Sequence, residues 1–498
     1  MEHRPSDPEV VLAELSAPND GDPGWAARRW ASSGAMAVTG PTDGPARQVP
    51  VSVTGRLDMA ADTLARLGGP TLDGPALLGE RAAIARFGRR GDVSVGGQAR
   101  LLDAADGPVC LNLARPDDLA TLPAWLEAEI DPSDWKAVTS EVGRRSGVEL
   151  AERADLLGLP VGVPGTAQHL DPAFLTPGGE TKAEEGPPLV VEFGSLWAGP
   201  LCAGLLRQAG CRVIKVESAE RPDGARRGPR LFFDLLNEGK ESVVVDPRTI
   251  HGQGFIHRLV DRAAVVVEAS RPRALRQWGL DADTEVDNGT VWVSITGYGR
   301  VGPRSSGVAF GDDAAVSGGL LLDDPVGFVA DAPADPAGGL VAAVLALAGL
   351  ADPVGWLVDV PLAGVAAWLA GDPRVPDHPA EAGVAPPWAR AVGRSAAGLG
   401  TDTDKVAEAM IGMETPNLTG GMAVMNENHH LSKPVLIGEI QDDGQFAVVW
   451  ETDGLVKGDA WSDYLPGSKD LISDWSAPTK CGNYNTKTKQ CLGSKAMQ

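Results

Sequence analysis

The amino-acid sequence predicts an α/β protein: a doubly wound parallel-sheet domain over 189–371, a smaller α+β domain before it over 1–171, and a tail after it that contains a β-hairpin. Three observations carry this. Apolar, β-rich runs at Leu189–Phe193, Val213–Val216, Ser242–Val245, Ala264–Glu268 and Val291–Ile295 alternate with helical stretches, and apolar strands separated by helices indicate a parallel sheet covered on both faces. The stretch before them mixes helical patterns (Ala60–Leu67, Leu119–Ile130, Trp135–Leu157) with short strand-like pieces such as Val109–Leu113. Residue usage then changes near 398: all 32 arginines lie at or before Arg394, while 8 of the 12 lysines lie from Lys405 onward. So sharp a break marks a domain boundary between segments of different origin.

Two connecting stretches separate these parts. Residues 172–188 are polar and turn-rich, with Pro172, Pro177, Gly178 and Gly179, and read as a linker. Residues 372–399 are Pro/Ala-rich, and Pro373, Pro376, Pro379, Pro386 and Pro387 cannot sit in a regular helix or a central strand. In the tail, Pro434–Ile440 and Gln445–Trp450, joined through Asp442 and Gly444, read as a hairpin.

Composition excludes several classes of function. A chain of 498 residues with 43% apolar content can bury several cores. Its formal net charge of −23 argues against nucleic acid or an anionic membrane as partner, since both need an accessible excess of Lys and Arg. The best apolar run, Gly338–Leu350, is cut short by Asp352 before it reaches the roughly 18–20 residues that span a bilayer. The first ten residues put acids and prolines where a secretory signal has basic residues and then an apolar stretch, so the expected location is cytoplasmic. Cys110, Cys202 and Cys211 stand singly in apolar surroundings, as reduced core thiols do, and no metal is expected.

The candidate binding features follow the first strand. It runs into a turn from Gly194 to Gly199, then Pro200 and an apolar-periodic helix to Gln208. Glycines let the backbone approach a ligand, and a helix amino terminus favours an anion; the bland alternative is a tight turn and nothing more. Between Arg207 and Arg230 there are seven basic residues against three acids, a local charge of +4 in an acidic protein. Guanidinium groups clamp phosphates, so a phosphorylated ligand is the functional reading of this island, against a solvated helix end as the plain one.

Six segments in order, Val190–Pro200, Gly210–Glu217, Pro222–Arg227, Phe233–Val243, Val265–Pro272 and Ser294–Pro303, resemble the class III CoA-transferases, the CaiB/BaiF family. The resemblance implies transfer of CoA from an acyl-CoA to a carboxylic acid through an aspartyl anhydride and an aspartyl-CoA thioester, with coenzyme A as co-substrate. It makes Asp335, in Ala332–Leu340, the candidate nucleophile, with Asp331 as the nearest rival; the plain reading of Asp335 is a helix cap kept ionised by the helix amino terminus. It also implies that Gly194, Gly199, Lys215, Arg226 and Arg227 lie near the CoA phosphates and that backbone amides around Gly297 and Gly299 help hold the acyl group. The chain departs from the family where Ala269 and Ser270 stand in place of Asn-Phe and Arg273 in place of Gly. Gly88–Asp117 and Trp135–Gly165 resemble the family's small domain, placed here in front. Expected partners are the acyl-CoA and carboxylic acid substrates, with a homodimer as the candidate assembly.

Residues 400–498 resemble a different family, the carboxy-terminal end of urea or short-chain-amide substrate-binding proteins of ABC transporters, through Gly421–Leu431, Lys433–Ile440, Gly444–Trp450 and Pro478–Cys491. The likeness switches at Leu399–Lys405, as expected of a chimera. The adjacent His429 and His430 lack the spaced partners of a metal site and read as a surface feature, and Cys481 and Cys491 as thiols. A third reading, a nicotinamide-dependent enzyme, takes Glu217 as the acid that binds a ribose about 20 residues after the glycine turn.

Overall fold

The computed structural model describes residues 6–17, 22–167, 171–181, 186–269 and 272–371, and in the tail 412, 414–416, 422–426, 431–432, 436–440, 446–451, 471–472, 484–485 and 490–491. The Pro/Ala-rich stretch 372–399, the junction at 399–405, His429, His430 and Cys481 lie outside the described residues. The chain divides into two compact units, Met1–Gly398 and Leu399–Gln498.

The first unit is built on a seven-stranded sheet of β1 (Phe174–Glu180), β2 (Leu189–Phe193), β3 (Arg212–Glu217), β4 (Glu241–Val244), β5 (Val265–Glu268), β6 (Val291–Thr296) and β7 (Val354–Pro361). Their order is β1-β7-β6-β5-β2-β3-β4. Six strands run parallel and β1 is antiparallel to β7. From β2 the chain winds outward through β3 to β4, then returns to the far side of β2 for β5, β6 and β7, so the connectivity reverses between β2 and β5. Strands β2, β5 and β6 are buried at every residue, which is why they read as continuous apolar runs. The expectation that all strands are covered fails at β4, an edge strand on which Val244 is exposed.

The stretch expected to be a linker contains β1, which pairs with β7 from Phe174↔Asp359 to Glu180↔Val354. Its Pro177 is tolerated because β1 is an edge strand. Gly178 and Gly179 serve close packing: a Cβ there would lie 2.3 Å from the Val286 carbonyl oxygen and 2.0 Å from that of Asp287. Loop-like composition here reflects a helix end pressed against the strand.

The separation of 1–171 from 189–371 is likewise corrected. Val11, Leu15, Trp30, Val53 and Leu57 share one buried core with Leu201, Val293, Leu340 and Leu345. Trp368 Nε1 donates to the Leu15 carbonyl at 2.7 Å, and the Ser52 hydroxyl donates to that of Leu369 at 2.7 Å. The amino-terminal helices therefore complete the α/β core. The part around the three-stranded antiparallel sheet Ala99–Ala104, Gly107–Asn112 and Val161–Gly162 has a small core of its own, formed by Val109, Leu122, Trp125, Val138 and Leu150. The stretch 135–157 is two helices, Trp135–Val142 and Gly147–Leu157, because Ser146 caps the second through the Glu149 amide.

Three helices position the site: α1 (Ala198–Gln208), α2 (Gly311–Ser317) and α3 (Ala334–Leu350). Helix α3 is apolar all round and buried along nearly its whole length, as a central helix must be. Gly339 lets α1 press against it, since a Cβ there would come within 2.7 Å of the Ala198 carbonyl. Among the described residues no helix is long and apolar enough to cross a membrane. Cys110, Cys202 and Cys211 are buried free thiols, and burial pushes that of Cys211 up to about 11. In the second unit, Leu436–Ile440 pairs antiparallel with Phe446–Glu451, the expected hairpin.

Candidate active site

In an open α/β sheet, ligands settle in the crevice beyond the carboxyl ends of the strands where the connectivity reverses. Here that point lies between β2 and β5, and the turn Gly194–Gly199 follows β2 directly. Gly199 is needed for contact across the crevice floor: a Cβ on it would stand 2.7 Å from Cβ of Ala269, just past β5. Leu196 adopts φ +70°, a strained value for a side-chain-bearing residue, and its N–H donates to Asp223 Oδ1 at 2.8 Å.

Asp335 is the second residue of α3, where it keeps some accessible surface. The cap position belongs to Pro333, and no side chain caps the helix there, so Asp335 is not the capping residue. Its Oδ2 accepts from the Gly311 backbone N–H at 3.2 Å. Asp331, the rival, is 0% exposed and bound by Arg81, whose Nε donates to Oδ2 at 2.9 Å. That geometry spends Asp331 on an ion pair and leaves Asp335 as the carboxylate with a single amide donor. Arg81 also lies 4.9 Å over the Trp197 ring at the start of α1, which ties the glycine turn to the acidic cluster.

The electrostatics oppose the expectation that the helix start keeps Asp335 ionised. Burial pushes its carboxyl up to about 7; Arg81 and the Gly311 amide pull it down, and the neighbouring acids Asp312 and Asp331 push it up. Burial likewise lifts Asp312 to about 6 and Asp313 to about 7. Asp312 Oδ1 accepts from the Ala332 N–H at 3.1 Å, and Asp313 Oδ1 from Asn112 Nδ2 at 2.7 Å. Sequence reasoning missed Arg81, Gly311 and Asp312. Nothing in their local sequence distinguishes them, because their partners are distant along the chain.

Other expected site residues divide. Arg226 and Arg227 are exposed on a short 3-10 turn, Gly224–Arg227, with Arg226 held by Glu217 and lying 4.2 Å over the Phe233 ring. Lys215 is a correction: it is 1% exposed and its Nζ donates to Glu192 Oε1 at 2.7 Å and the Gly194 carbonyl at 2.8 Å, out of reach of a phosphate. The Gly299 amide is also committed, to Thr296 Oγ1 at 2.9 Å, so it does not hold an acyl group. Gly297 packs against Ala309, which a Cβ on it would approach to 2.9 Å; two residues on, Gly311 meets Asp335. Glu217 is occupied too, accepting from the Asp223 N–H at 2.7 Å and Arg226 Nε at 3.0 Å, which removes the acid that the nicotinamide reading required. Among the described residues, no group of three or more His, Cys, Asp and Glu is arranged to hold a metal ion.

Comparison with known proteins sorts the chain by segment. Residues 366–467 match the periplasmic binding protein domain. Succinyl-CoA–D-citramalate CoA-transferase of Chloroflexus aurantiacus is 34% identical over 140 residues, 26% of this chain and 35% of that protein. Succinate–glutarate CoA-transferase of Agrobacterium fabrum is 34% identical over 136 residues, 24% of this chain and 34% of that protein. The chain thus spans about a third of the length of the curated relatives it matches. A crystal structure of a CAIB/BAIF family protein from Brucella suis aligns at 28% identity over 39% of this chain and 55% of that one, with a TM-score of 0.34. Residues 189–395 match CoA-transferase family III, so the models of two families match parts of one chain and overlap at 366–395.

Proposed function

We propose that this chain transfers CoA from an acyl-CoA to a carboxylic acid, with Asp335 as nucleophile. The observation that carries the reading is the placement of Asp335: a carboxylate with some exposure, held by one backbone amide, on a helix pressed against the start of α1 beside the switch-point crevice. CoA would lie in that crevice, its phosphates near the Gly194–Gly199 turn, Arg226 and Arg227.

The chemistry follows from a carboxylate nucleophile. An Asp335 oxygen attacks the thioester carbonyl carbon, the C–S bond breaks, and CoA thiolate leaves a mixed anhydride. The thiolate then attacks Cγ of Asp335 and displaces the donor acid as its carboxylate, leaving an aspartyl-CoA thioester. The acceptor carboxylate attacks that Cγ, releasing CoA thiolate and forming a second anhydride. Attack of the thiolate on the acceptor's acyl carbon gives the new acyl-CoA and frees Asp335. No proton need be gained or lost over the cycle.

Succinate and glutarate, named for the relatives, are dicarboxylic acids, which makes succinyl-CoA the first donor to test. Incubation with it, followed by hydroxylamine or borohydride, is expected to modify the peptide containing Asp335, and Asp335→Asn to abolish the adduct. Label on Asp331 instead, or no label on protein that binds CoA, would sink the assignment. For residues 400–498 we infer descent from a urea or short-chain-amide binding protein; micromolar binding of labelled urea or acetamide would make binding the second function of the chain.

A further inference from the structure

The glycine turn and the basic turn are separated in sequence, and one buried carboxylate joins them. Asp223 is 2% exposed. Its Oδ1 accepts from the Leu196 N–H at 2.8 Å and the Ser195 hydroxyl at 3.1 Å on one side, and from the Ala225 N–H at 2.9 Å on the other. Its Oδ2 lies 2.9 Å from Lys215 Nζ. The turns also touch: a Cβ on Gly224 would come within 2.7 Å of Leu196 Cδ2.

Two carbonyls flanking the glycine turn are held from behind. Lys215 Nζ donates to the Gly194 carbonyl, and Lys240 Nζ donates to the Pro200 carbonyl at 2.8 Å and to Glu192 Oε2 at 2.7 Å. Four charges are thus buried in one place, two lysines against Glu192 and Asp223. Burying charge costs more than apolar packing of the same volume, so stability alone does not account for the arrangement. What it achieves is geometric: the Gly194 carbonyl and the strained Leu196 amide of the turn are fixed, as is the Pro200 carbonyl in the first turn of α1, and the glycine turn is locked to the one that carries Arg226 and Arg227.

We propose that Asp223 is a positioning residue that clasps the glycine turn to the basic turn, so that the two form one cradle for the phosphate-bearing end of CoA. Lys215 acts through Asp223 and the Gly194 carbonyl, not on the phosphates. The inference rests on the CoA reading above and adds to it which end of the ligand the clasp serves.

Titration calorimetry of the full chain with CoA, with 3′,5′-ADP as the phosphate end and with pantetheine as the thiol end tests this. Asp223→Ala is expected to weaken CoA and 3′,5′-ADP about tenfold, the effect of losing a buried hydrogen bond to a charged group, and to leave pantetheine unchanged. Asp223→Asn keeps an acceptor for the Leu196 and Ala225 amides but gives up the charge that faces Lys215, and should weaken 3′,5′-ADP less than Asp223→Ala does. Equal loss on both ends of the ligand, or Asp223→Asn as weak as Asp223→Ala, would overturn the clasp. If Asp223→Ala does not fold, Gly224→Ala decides: pushed against Leu196, it should weaken 3′,5′-ADP severalfold, and unchanged affinity would overturn the proposal. A parent protein that binds neither CoA nor 3′,5′-ADP would instead defeat the CoA reading and leave the hydrogen bonds of Asp223 as an element of folding.

Discussion

The backbone N–H of Gly311 donates to Oδ2 of Asp335 at 3.2 Å, and Gly311 has no room for a side chain: a Cβ would lie 2.4 Å from the Ala332 carbonyl oxygen and 2.7 Å from that same Oδ2. Gly311→Ala should therefore displace the carboxylate. It is expected to cost about 1–3 kcal/mol of stability, as overpacking does, and to suppress labelling of Asp335 by acyl-CoA while CoA still binds. Urea unfolding and mass spectrometry of the trapped adduct measure the two effects, and undiminished labelling would count against this placement of the nucleophile.

The reaction should depend on pH through Asp335 itself. With its carboxyl raised to about 7 by burial, the ionised nucleophile grows in across neutrality, so single-turnover acylation should increase from pH 5 to pH 8 with a midpoint near that value. Arg81→Met removes a charge that favours the ionised form and should move the midpoint upward by about one unit, whereas Asp312→Asn removes an opposing acid and should move it downward. Coincident midpoints in all three proteins would mean that neither neighbour acts on Asp335.

Folding should show the opposite dependence. Asp312, Asp313 and Asp335 rise to about 6, 7 and 7 in the folded state, against about 3.9 in an unfolded chain. Between these values the folded state retains protons that the unfolded chain has released, so stability is greatest below the unfolded pKa and declines as pH climbs through the folded ones. Asp223 and Glu217 have lowered values despite burial, through Lys215 and backbone amides for the first and Arg226 for the second. Their contribution is present above the unfolded pKa and lost as pH falls through the folded one. The melting temperature should accordingly fall between pH 5 and pH 8, and Asp313→Asn should flatten the decline. A rise over that range would contradict the burial of these acids.

The chain divides into two compact units at Gly398, and the first is expected to stand without the second. A chain ending at Gly398 should melt like the full protein and acylate Asp335 at the same rate. Loss of cooperative unfolding in the truncated chain would show that the units depend on each other.

Much of the fold was legible before any coordinates. The strands β2, β5 and β6 are buried on both faces, and that double burial is written directly as runs of apolar residues. The glycine turn, the order of the family-like segments and the change of residue usage near 398 are properties of the linear text. Strand β1 was hidden because its Pro177, Gly178 and Gly179 mimic a loop; their reason is an edge position and a helix end within van der Waals reach.

What only the tertiary structure decided is which charges are spent. Lys215 and Arg226 look alike in a basic island, yet one is sealed against Glu192 and Asp223 while the other stands exposed beside Glu217. Arg81 pairs with Asp331 from 250 residues away, and the Gly311 amide reaches Asp335 across 24. Sequence by itself determined the element types where periodicity and burial act on neighbouring residues, as in β2, β5 and β6. The ionisation and availability of a side chain depend on the solvent it loses and the partners it meets, and those are set by contacts between elements far apart along the chain.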